Sequence, residues 1–444
     1  MHPWRFFIVT FGCKVNQYES QALREAWEKL GGTECETPDA ADVICVNSCA
    51  ITAKGERAAR DAIFQLRRKA PSARLVLTGC ASKLFQNYRP RPHAIWAEPD
   101  VIVPQQQKSL LLTDPTASVQ PQPLTQIEPT ENTTFPPFQI SAFRRSRPVL
   151  KLQDGCTHRC TYCIVPFTRG ATISRPPEEV LSEARRLFEA GYAEIVLSGV
   201  NLNQYGRDKP SFGDFWDLLR MLENDLAEKF AERARFRISS LEPSQLHARA
   251  LAILKASRMV CPHLHISLQH ASPAVLKRMG RGHYTGRMLT NALAALAEHW
   301  PVMGLGADIL VGFPGETEED MRLLLAYIEK VPFSYAHVFP WSSRPGTAAA
   351  DFDDQPARRI KYARAARVRA AIEQCRRRFL QSQLALPRML VAAENASEKT
   401  GARRGVNEYY APCFFQDRGK VLSGLVVAKP VGLTKNGILV ELMV

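Results

Sequence analysis

The sequence predicts a three-part α/β protein: an N-terminal parallel α/β sheet domain, a central partial (β/α)6 barrel and a small C-terminal β-barrel. Three observations carry this expectation. Before residue 104, short apolar runs alternate with helical patterns. From residue 148, six more strand candidates alternate with helices. After residue 386, short β-like runs follow one another between Gly and Asn turns. Strand–helix alternation signals a parallel sheet covered by helices, and six such repeats suit an open or partial barrel.

Each element can be justified in turn. Residues 1–103 carry the strands FFIVTFG, DVICVNS and RLVLTG, with the helical patterns ESQALREAWEKLGG and GERAARDAIFQLRRKA between them. Residues 104–147 are rich in Pro, Gln and Thr, have no apolar period, and read as a linker. Residues 148–350 supply PVLKLQ, AEIVLSGV, RFRISS, HLHISLQ, GADILVGF and YAHVFPW as strands. In the helix after GFPGE, Thr317 is placed to cap the first turn, with Glu318, Glu319 and Asp320 complementing the helix dipole. Residues 351–386 read as one long basic helix, because Ala and Arg dominate and no Pro or Gly interrupts after the first turn. Residues 387–444 form the small β domain.

Composition narrows the function classes. The 444 residues carry a formal charge of +14, which favours an anionic partner, nucleic acid first. No apolar run reaches the ~18 residues of a membrane span, and the opening MHPWRFFIVTFGC reads as a buried strand rather than a secretion signal. A cytoplasmic location is expected. Eleven cysteines, an odd number in such a chain, point to metal or redox chemistry rather than disulfides.

Two sets of cysteines stand out. In DGCTHRCTYC, Cys156, Cys160 and Cys163 follow the first barrel strand. No fourth Cys or His sits at zinc-finger spacing downstream, and His158 is hemmed in by the cysteines around it. Three thiolates match a [4Fe-4S] cluster with one iron left open, and an open iron can chelate a small molecule through amine and carboxylate. In the first domain, Cys13, Cys49 and Cys80 each fall just past a strand, at the sheet edge where open α/β sheets bind ligands. These three thiols can converge, although spacing alone leaves open whether they hold a cluster. Cys45 lies within a strand and reads as buried. Cys35, Cys261, Cys375 and Cys413 show no partner pattern.

The first trio, with Tyr162 between its last two cysteines, resembles the fingerprint of the radical S-adenosylmethionine (SAM) superfamily. TFGCKVNQYES, VNSCAITAKGERAAR and LTGCAS are similar to the three cysteine motifs of its methylthiotransferase family, and SGVNLNQYG, RISSLEP, HLHISLQHASPAVLKRMGRGHYT, DILVGFPGETEED and HVFPWSSRPGT agree. GCKVNQYE resembles the branch that acts on N6-threonylcarbamoyladenosine in tRNA. Other branches act on isopentenyladenosine in tRNA or on a ribosomal-protein aspartate, and a redox-sensing RNA-binding protein without turnover is a rival of another class.

The resemblance implies two [4Fe-4S] clusters, on Cys156, Cys160 and Cys163 and on Cys13, Cys49 and Cys80, with SAM as cosubstrate. A radical made from SAM takes hydrogen from C2 of the adenosine at position 37, and sulfur carrying a methyl group is delivered there. It also implies an electron donor of flavodoxin or ferredoxin type, the tRNA anticodon stem-loop as partner, and a TRAM-like RNA-binding C-terminal domain. Tyr162 then lies near the adenine of SAM. Ser198, Gly199, Glu242, Gln269 and Asp308, at or near barrel strand ends, are candidate SAM contacts. No acid or base is nominated. Arg376 and Arg377 on the basic helix, and Arg403, Arg404 and Tyr409 with Tyr410 in the last domain, are candidate RNA contacts. Two clusters require about eight irons and eight sulfides per chain. Assay of anaerobically purified protein should give that ratio, whereas about four irons would leave one trio empty.

Overall fold

The computed structural model describes residues 4–86, 98–119, 134–394, 402–416 and 424–443. They fall into two compact units. One comprises Met1–Ala142, Lys151–Pro176 and Ser342–Ala350, and the other Phe143–Leu150, Pro177–Trp341 and Asp351–Val444.

In the first unit, β1 (Trp4–Thr10), α1 (Lys14–Lys29), β2 (Gly32–Glu34), β3 (Val43–Ser48), α2 (Ala53–Lys69), β4 (Arg74–Gly79), α3 (Ser82–Gln86) and β5 (Val101–Ile102) follow in order. The strands form a parallel sheet in the order β2-β1-β3-β4-β5. Central β3 is buried at all six positions, as a strand covered on both faces must be. Ile63 and Leu66 of α2 pack on Ile44, Val46, Leu75 and Leu77.

The stretch 104–147, expected as a linker, is packed into this unit at Gln105–Leu112 and at Phe138. Gln105–Leu112 is a 3-10 helix, Trp27 Nε1–H donates to Leu111 O, and the Tyr18 hydroxyl donates to Phe138 O. Glutamine-rich, aperiodic sequence can be ordered when side chains from elsewhere hold its backbone, which composition does not reveal. Residues 120–133 lie outside the described ones.

Strand β6 (Val149–Asp154) runs into this unit, and its end pairs antiparallel with β7 (Ile173–Ser174). The cysteine loop and α4 (Val165–Arg169) lie between them. Ser342–Ala350 is pinned to the same unit by the Arg344–Glu56 ion pair and by Ala349 N–H donating to Thr161 O.

The second unit holds α5 (Pro177–Glu189), β8 (Glu194–Gly199), α6 (Phe215–Phe230), β9 (Arg235–Ile238), α7 (Ala248–Ala256), β10 (His263–Gln269), α8 (Pro273–Arg278), α9 (Gly286–Ala297), β11 (Gly304–Val311), α10 (Glu318–Lys330) and β12 (Tyr335–Pro340). Pairing is parallel from β8 to β9 and through β10, β11 and β12. The bridges Phe236↔Val260 and Leu241↔Ile266 lead from the first pair to the second set. The Thr317 capping box with Asp320 is as the sequence suggests.

The long helix is α11 (Arg358–Ser382). After it, β13 (Met389–Ala393), β14 (Ala402–Asn407), β15 (Pro412–Gln416), β16 (Leu425–Leu433) and β17 (Ile438–Leu442) close a barrel in the order β13-β14-β15-β17-β16 around Met389, Val391, Cys413, Phe415, Ile438 and Val440. All its pairings are antiparallel except β15 with β17.

This barrel is fastened to the starts of β8 and β9 by a buried polar layer. Glu194 accepts from Arg235 and Arg237, and Arg147 lies 3.5 Å away. The two strand arginines also donate to Leu390, Val406, Asn407 and Glu408 carbonyls. Burial alone would raise the Glu194 pKa, but Arg237, Arg235 and Arg147 outweigh it and hold the carboxyl far below its usual range. A depressed carboxyl stabilises the fold above the usual carboxylate range, and that contribution is lost as pH falls through the folded value. Glu194→Gln leaves buried guanidinium charge uncompensated and should cost about 3–5 kcal/mol at neutral pH. Denaturant titrations at neutral and acid pH should show the gap between variant and parent narrowing on acidification.

Candidate functional site

The parallel register of the first sheet places three cysteines side by side. Thr10 pairs with Asn47 and Ser48 with Gly79, so the chain segments carrying Cys13, Cys49 and Cys80 leave adjacent strands at one edge. Cys13 is the N-cap residue of α1. The approach is close enough to exclude a side chain at residue 12: Gly12 has φ +93°, and a Cβ there would lie 2.8 Å from Cys49 Sγ. Cys49 and Cys80 are buried, whereas Cys13 is exposed. Burial, together with the neighbouring Cys80 and Cys13, pushes the Cys49 thiol up to about 12, and burial also raises Cys80. Thiols that oppose one another's ionisation in this way deprotonate together when a cation sits among them, which is the chemistry of a metal-cluster ligand set.

The trio Cys156, Cys160 and Cys163 lies on a closed loop between β6 and β7. Gly155 has φ +65°, and a Cβ there would come within 1.7 Å of Ala171 O, so only glycine lets the loop's two ends meet. Cys156 N–H donates to Gly170 O at 3.0 Å, and Cys163 N–H to Cys160 O at 3.0 Å. Cys156 is buried; Cys160 and Cys163 are partly exposed. Ile164, next to Cys163, packs with Ala50, Cys80, Ala81 and Leu84 in one small apolar core. Both trios thus belong to one unit, and Ile164, beside one of them, packs against Cys80 of the other.

An ion network beneath them was not anticipated from the sequence. Arg169 donates from Nε to Cys80 Sγ at 3.1 Å, and its other nitrogens reach Asn16 Oδ1 at 2.6 Å, Asp154 Oδ1 at 2.7 Å and Glu19 Oε1 at 3.0 Å. Lys151 bridges Glu19 at 2.7 Å and Asp154 at 2.6 Å, and Lys108 pairs with Glu19 and Asn47. Burial would raise the Glu19 pKa, but Arg169, Lys108 and Lys151 hold it well below the usual range. Among the described residues of this network, three cations face two carboxylates. Lys83, three positions after Cys80, is buried and its amine has no hydrogen-bond partner among the described residues. A surplus of buried positive charge beside two sets of three thiols fits an anionic group, and a [4Fe-4S] core on three thiolates is one. The sequence did hold a signal: Lys151 interrupts the apolar strand PVLKLQ and Arg169 ends the apolar run CIVPFT, and charges inside buried elements need partners.

The remaining candidates are placed as follows. Tyr162 is partly exposed within the cysteine loop. Ser198 is buried and Gly199 half-buried at the end of β8. Glu242 is committed to a local network, accepting from Arg281 at 2.8 Å and Asn203 at 3.1 Å, with His283 at 3.2 Å. Gln269 ends β10 at φ +59°, a left-handed conformation uncommon for a non-glycine residue. Asp308 lies 3.2 Å from His265 Nε2 and pairs in register with His337. Ligand atoms of Asp308, His265 and His337 all lie within 4.8 Å of one another. The two histidines went unnoticed because single histidines in apolar strands carry no spacing signal.

On α11 several arginines are already engaged by other parts of the protein. Arg364 contacts Glu316 and Glu318, Arg367 contacts Glu318, and Arg369 donates to Val338 O. These partners come from another element, which helix periodicity cannot reveal. Arg376 donates to Asn436 O, while Arg377 stays largely exposed beside Glu373. Arg404 pairs with Glu394, and Arg403 and Tyr409 are half-buried. Tyr410, at φ +67°, packs its ring against His263 and Tyr335 and beneath Arg237, an internal position rather than a stacking platform.

Comparison with known proteins agrees with this geometry. Residues 150–328 match the radical SAM superfamily, and residues 5–90 match the uncharacterized protein family UPF0004. The chain is 33% identical to the threonylcarbamoyladenosine tRNA methylthiotransferase MtaB of Bacillus subtilis, over 95% of this chain and 92% of that one. It is 35% identical to the protein of the same name from Thermotoga maritima, over 77% and 76%. It is 31% identical to the tRNA-2-methylthio-N(6)-dimethylallyladenosine synthase of Agrobacterium fabrum, over 85% and 84%. Among solved structures, the radical S-adenosylmethionine methyltransferase TsrM of Kitasatospora setae shares the fold, with a TM-score of 0.53 at 17% identity over 78% of this chain and 75% of that one. With two cysteine trios in one unit and relatives matched over nearly its whole length, the chain belongs to the radical SAM methylthiotransferase family, in its MtaB-like group.

Proposed function

We propose that this protein adds a methylthio group to C2 of N6-threonylcarbamoyladenosine at position 37 of tRNA. The observation that carries the reading is that two sets of three cysteines lie in one unit, one gathered at the edge of the parallel sheet and the other on a single closed loop. The names of the relatives matched over most of the chain point to the same nucleoside. The synthases named for dimethylallyladenosine are matched as well, that of Agrobacterium fabrum over 85% of this chain, whereas the Bacillus subtilis relative named for threonylcarbamoyladenosine is matched over 95%.

In this reading Cys156, Cys160 and Cys163 hold one [4Fe-4S] cluster, and Cys13, Cys49 and Cys80 hold the other. When bound, the first supplies the electron that cleaves SAM into methionine and a carbon-centred radical, and the second supplies the sulfur. The residues of the chain do the rest. Gly155 and the Cys156–Gly170 hydrogen bond close the loop that carries its three thiols. Gly12 lets Cys13 and Cys49 close on a common ligand. Ile164, Leu84 and Ala81 keep water from the space beside Cys80, which protects a reactive radical from quenching. Tyr162, Ser198, Gly199, Gln269 and Asp308 remain candidates for SAM. Arg377, Arg403 and Tyr409 are candidates for the anticodon stem-loop, and a small flavodoxin- or ferredoxin-like protein for electron delivery. Phosphate contacts make tRNA binding weaken steeply with salt.

Reduced, cluster-reconstituted protein incubated with SAM and tRNA should produce 2-methylthio-N6-threonylcarbamoyladenosine on nucleoside digestion. A methylthio product on isopentenyladenosine instead would move the protein to the other tRNA branch. Cys156→Ala should abolish 5′-deoxyadenosine formation. Cys80→Ala should leave SAM cleavage in place and stop sulfur insertion; product at the parent rate from that variant would remove Cys80 from the second ligand set.

A further inference from the structure

The guanidinium of Arg169 links the two cysteine sets: the residue follows one set in the chain and its side chain reaches a sulfur of the other. It follows the loop of Cys156, Cys160 and Cys163 on α4, and its neighbour Gly170 closes that loop by accepting from Cys156 N–H. Its Nε–H is aimed at a sulfur of the other set, Cys80, at 3.1 Å. Asp154, two positions before Cys156, and Glu19, on the helix that Cys13 caps, hold the opposite side of the same guanidinium. The side chain is 2% exposed, so solvent does little to screen its charge. Lys151 and Lys108 offset the two carboxylates, which leaves one positive charge in surplus among the described residues of the network.

We propose that Arg169 is a positioning residue that raises the midpoint potential of the cluster carried by Cys13, Cys49 and Cys80, through its N–H···S bond to Cys80 and the uncompensated positive charge of its network. A cluster that takes up an electron gains one negative charge. A buried cation and a hydrogen bond to a ligating sulfur favour that more negative state, so the cluster reduces more easily.

The inference rests on the reading that Cys80 ligates a cluster, and the test separates the two. A full-length Cys156→Ala, Cys160→Ala, Cys163→Ala variant isolates the second site. About four irons per chain supports the ligand reading, and near-zero iron overturns that reading before any potential is measured. With iron bound, titration with dithionite followed by electron paramagnetic resonance gives the midpoint. Arg169→Gln in this background should shift the midpoint to more negative values, and Arg169→Lys, which keeps the charge, should recover part of the shift. Glu19→Gln removes a compensating carboxylate and should move the midpoint the opposite way, a sign that general loosening of the fold does not produce. An unchanged midpoint in an Arg169→Gln protein with its full iron complement overturns the proposal. If that variant does not take up iron, the parent background decides: exchange into D2O should shift the Fe–S(Cys) stretches in resonance Raman spectra, and their invariance overturns the N–H···S bond.

Discussion

Parallel pairing in register is the constraint on which the rest depends. Three cysteines far apart in the chain become neighbours because β1, β3 and β4 run the same way, pair in order and end at the same edge. Neighbouring strands lie ~4.8 Å apart, a separation that thiols reaching from adjacent strand ends can span around one small inorganic core. A one-residue slip would turn the alternate side chains of a strand to its other face and carry the cysteine with them. The full burial of β3 on both faces makes such a slip costly.

Bringing anionic ligands into a buried place creates an electrostatic problem, and the first unit answers it with charge of the opposite sign. Arg169, Lys108 and Lys151 are all buried. Such residues are rarely fully buried unless paired, and here Glu19 and Asp154 pair with all three while leaving a positive remainder. The same groups that balance the site also tie it together: Glu19 belongs to α1, Lys108 to the Gln-rich stretch, and Lys151, Asp154 and Arg169 to the segment that carries Cys156, Cys160 and Cys163. Structural ion pairing and site electrostatics are therefore one network, and a change in either is felt by both.

The second unit uses buried charge for a different purpose. Glu194, Arg235 and Arg237 join the strand starts to backbone carbonyls of the small barrel, and Tyr410 is held there by His263, Tyr335 and Arg237. That end of the strands is closed by protein, which leaves the opposite, carboxyl ends for ligands, as in other strand–helix barrels. Several basic residues that composition alone assigns to nucleic acid are occupied in holding the molecule together: Arg364 and Arg367 serve α10, and Arg235 and Arg237 serve the barrel junction.

The sequence by itself determined the alternating strands and helices, the long basic helix, the small terminal barrel and the six cysteines of the two trios. Those features are written in local periodicity, in turn residues and in short spacings, all of which act over a few neighbouring positions. Tertiary structure alone decided what happens between distant positions. It showed that Arg169 reaches Cys80, that Glu19 gathers Lys108, Lys151 and Arg169, that the Gln-rich stretch is partly packed, and that Asp308 sits with His265 and His337. The physical reason is that a buried charge is satisfied by whatever partner the fold brings within about 3 Å, and no local pattern in the chain encodes which partner that will be.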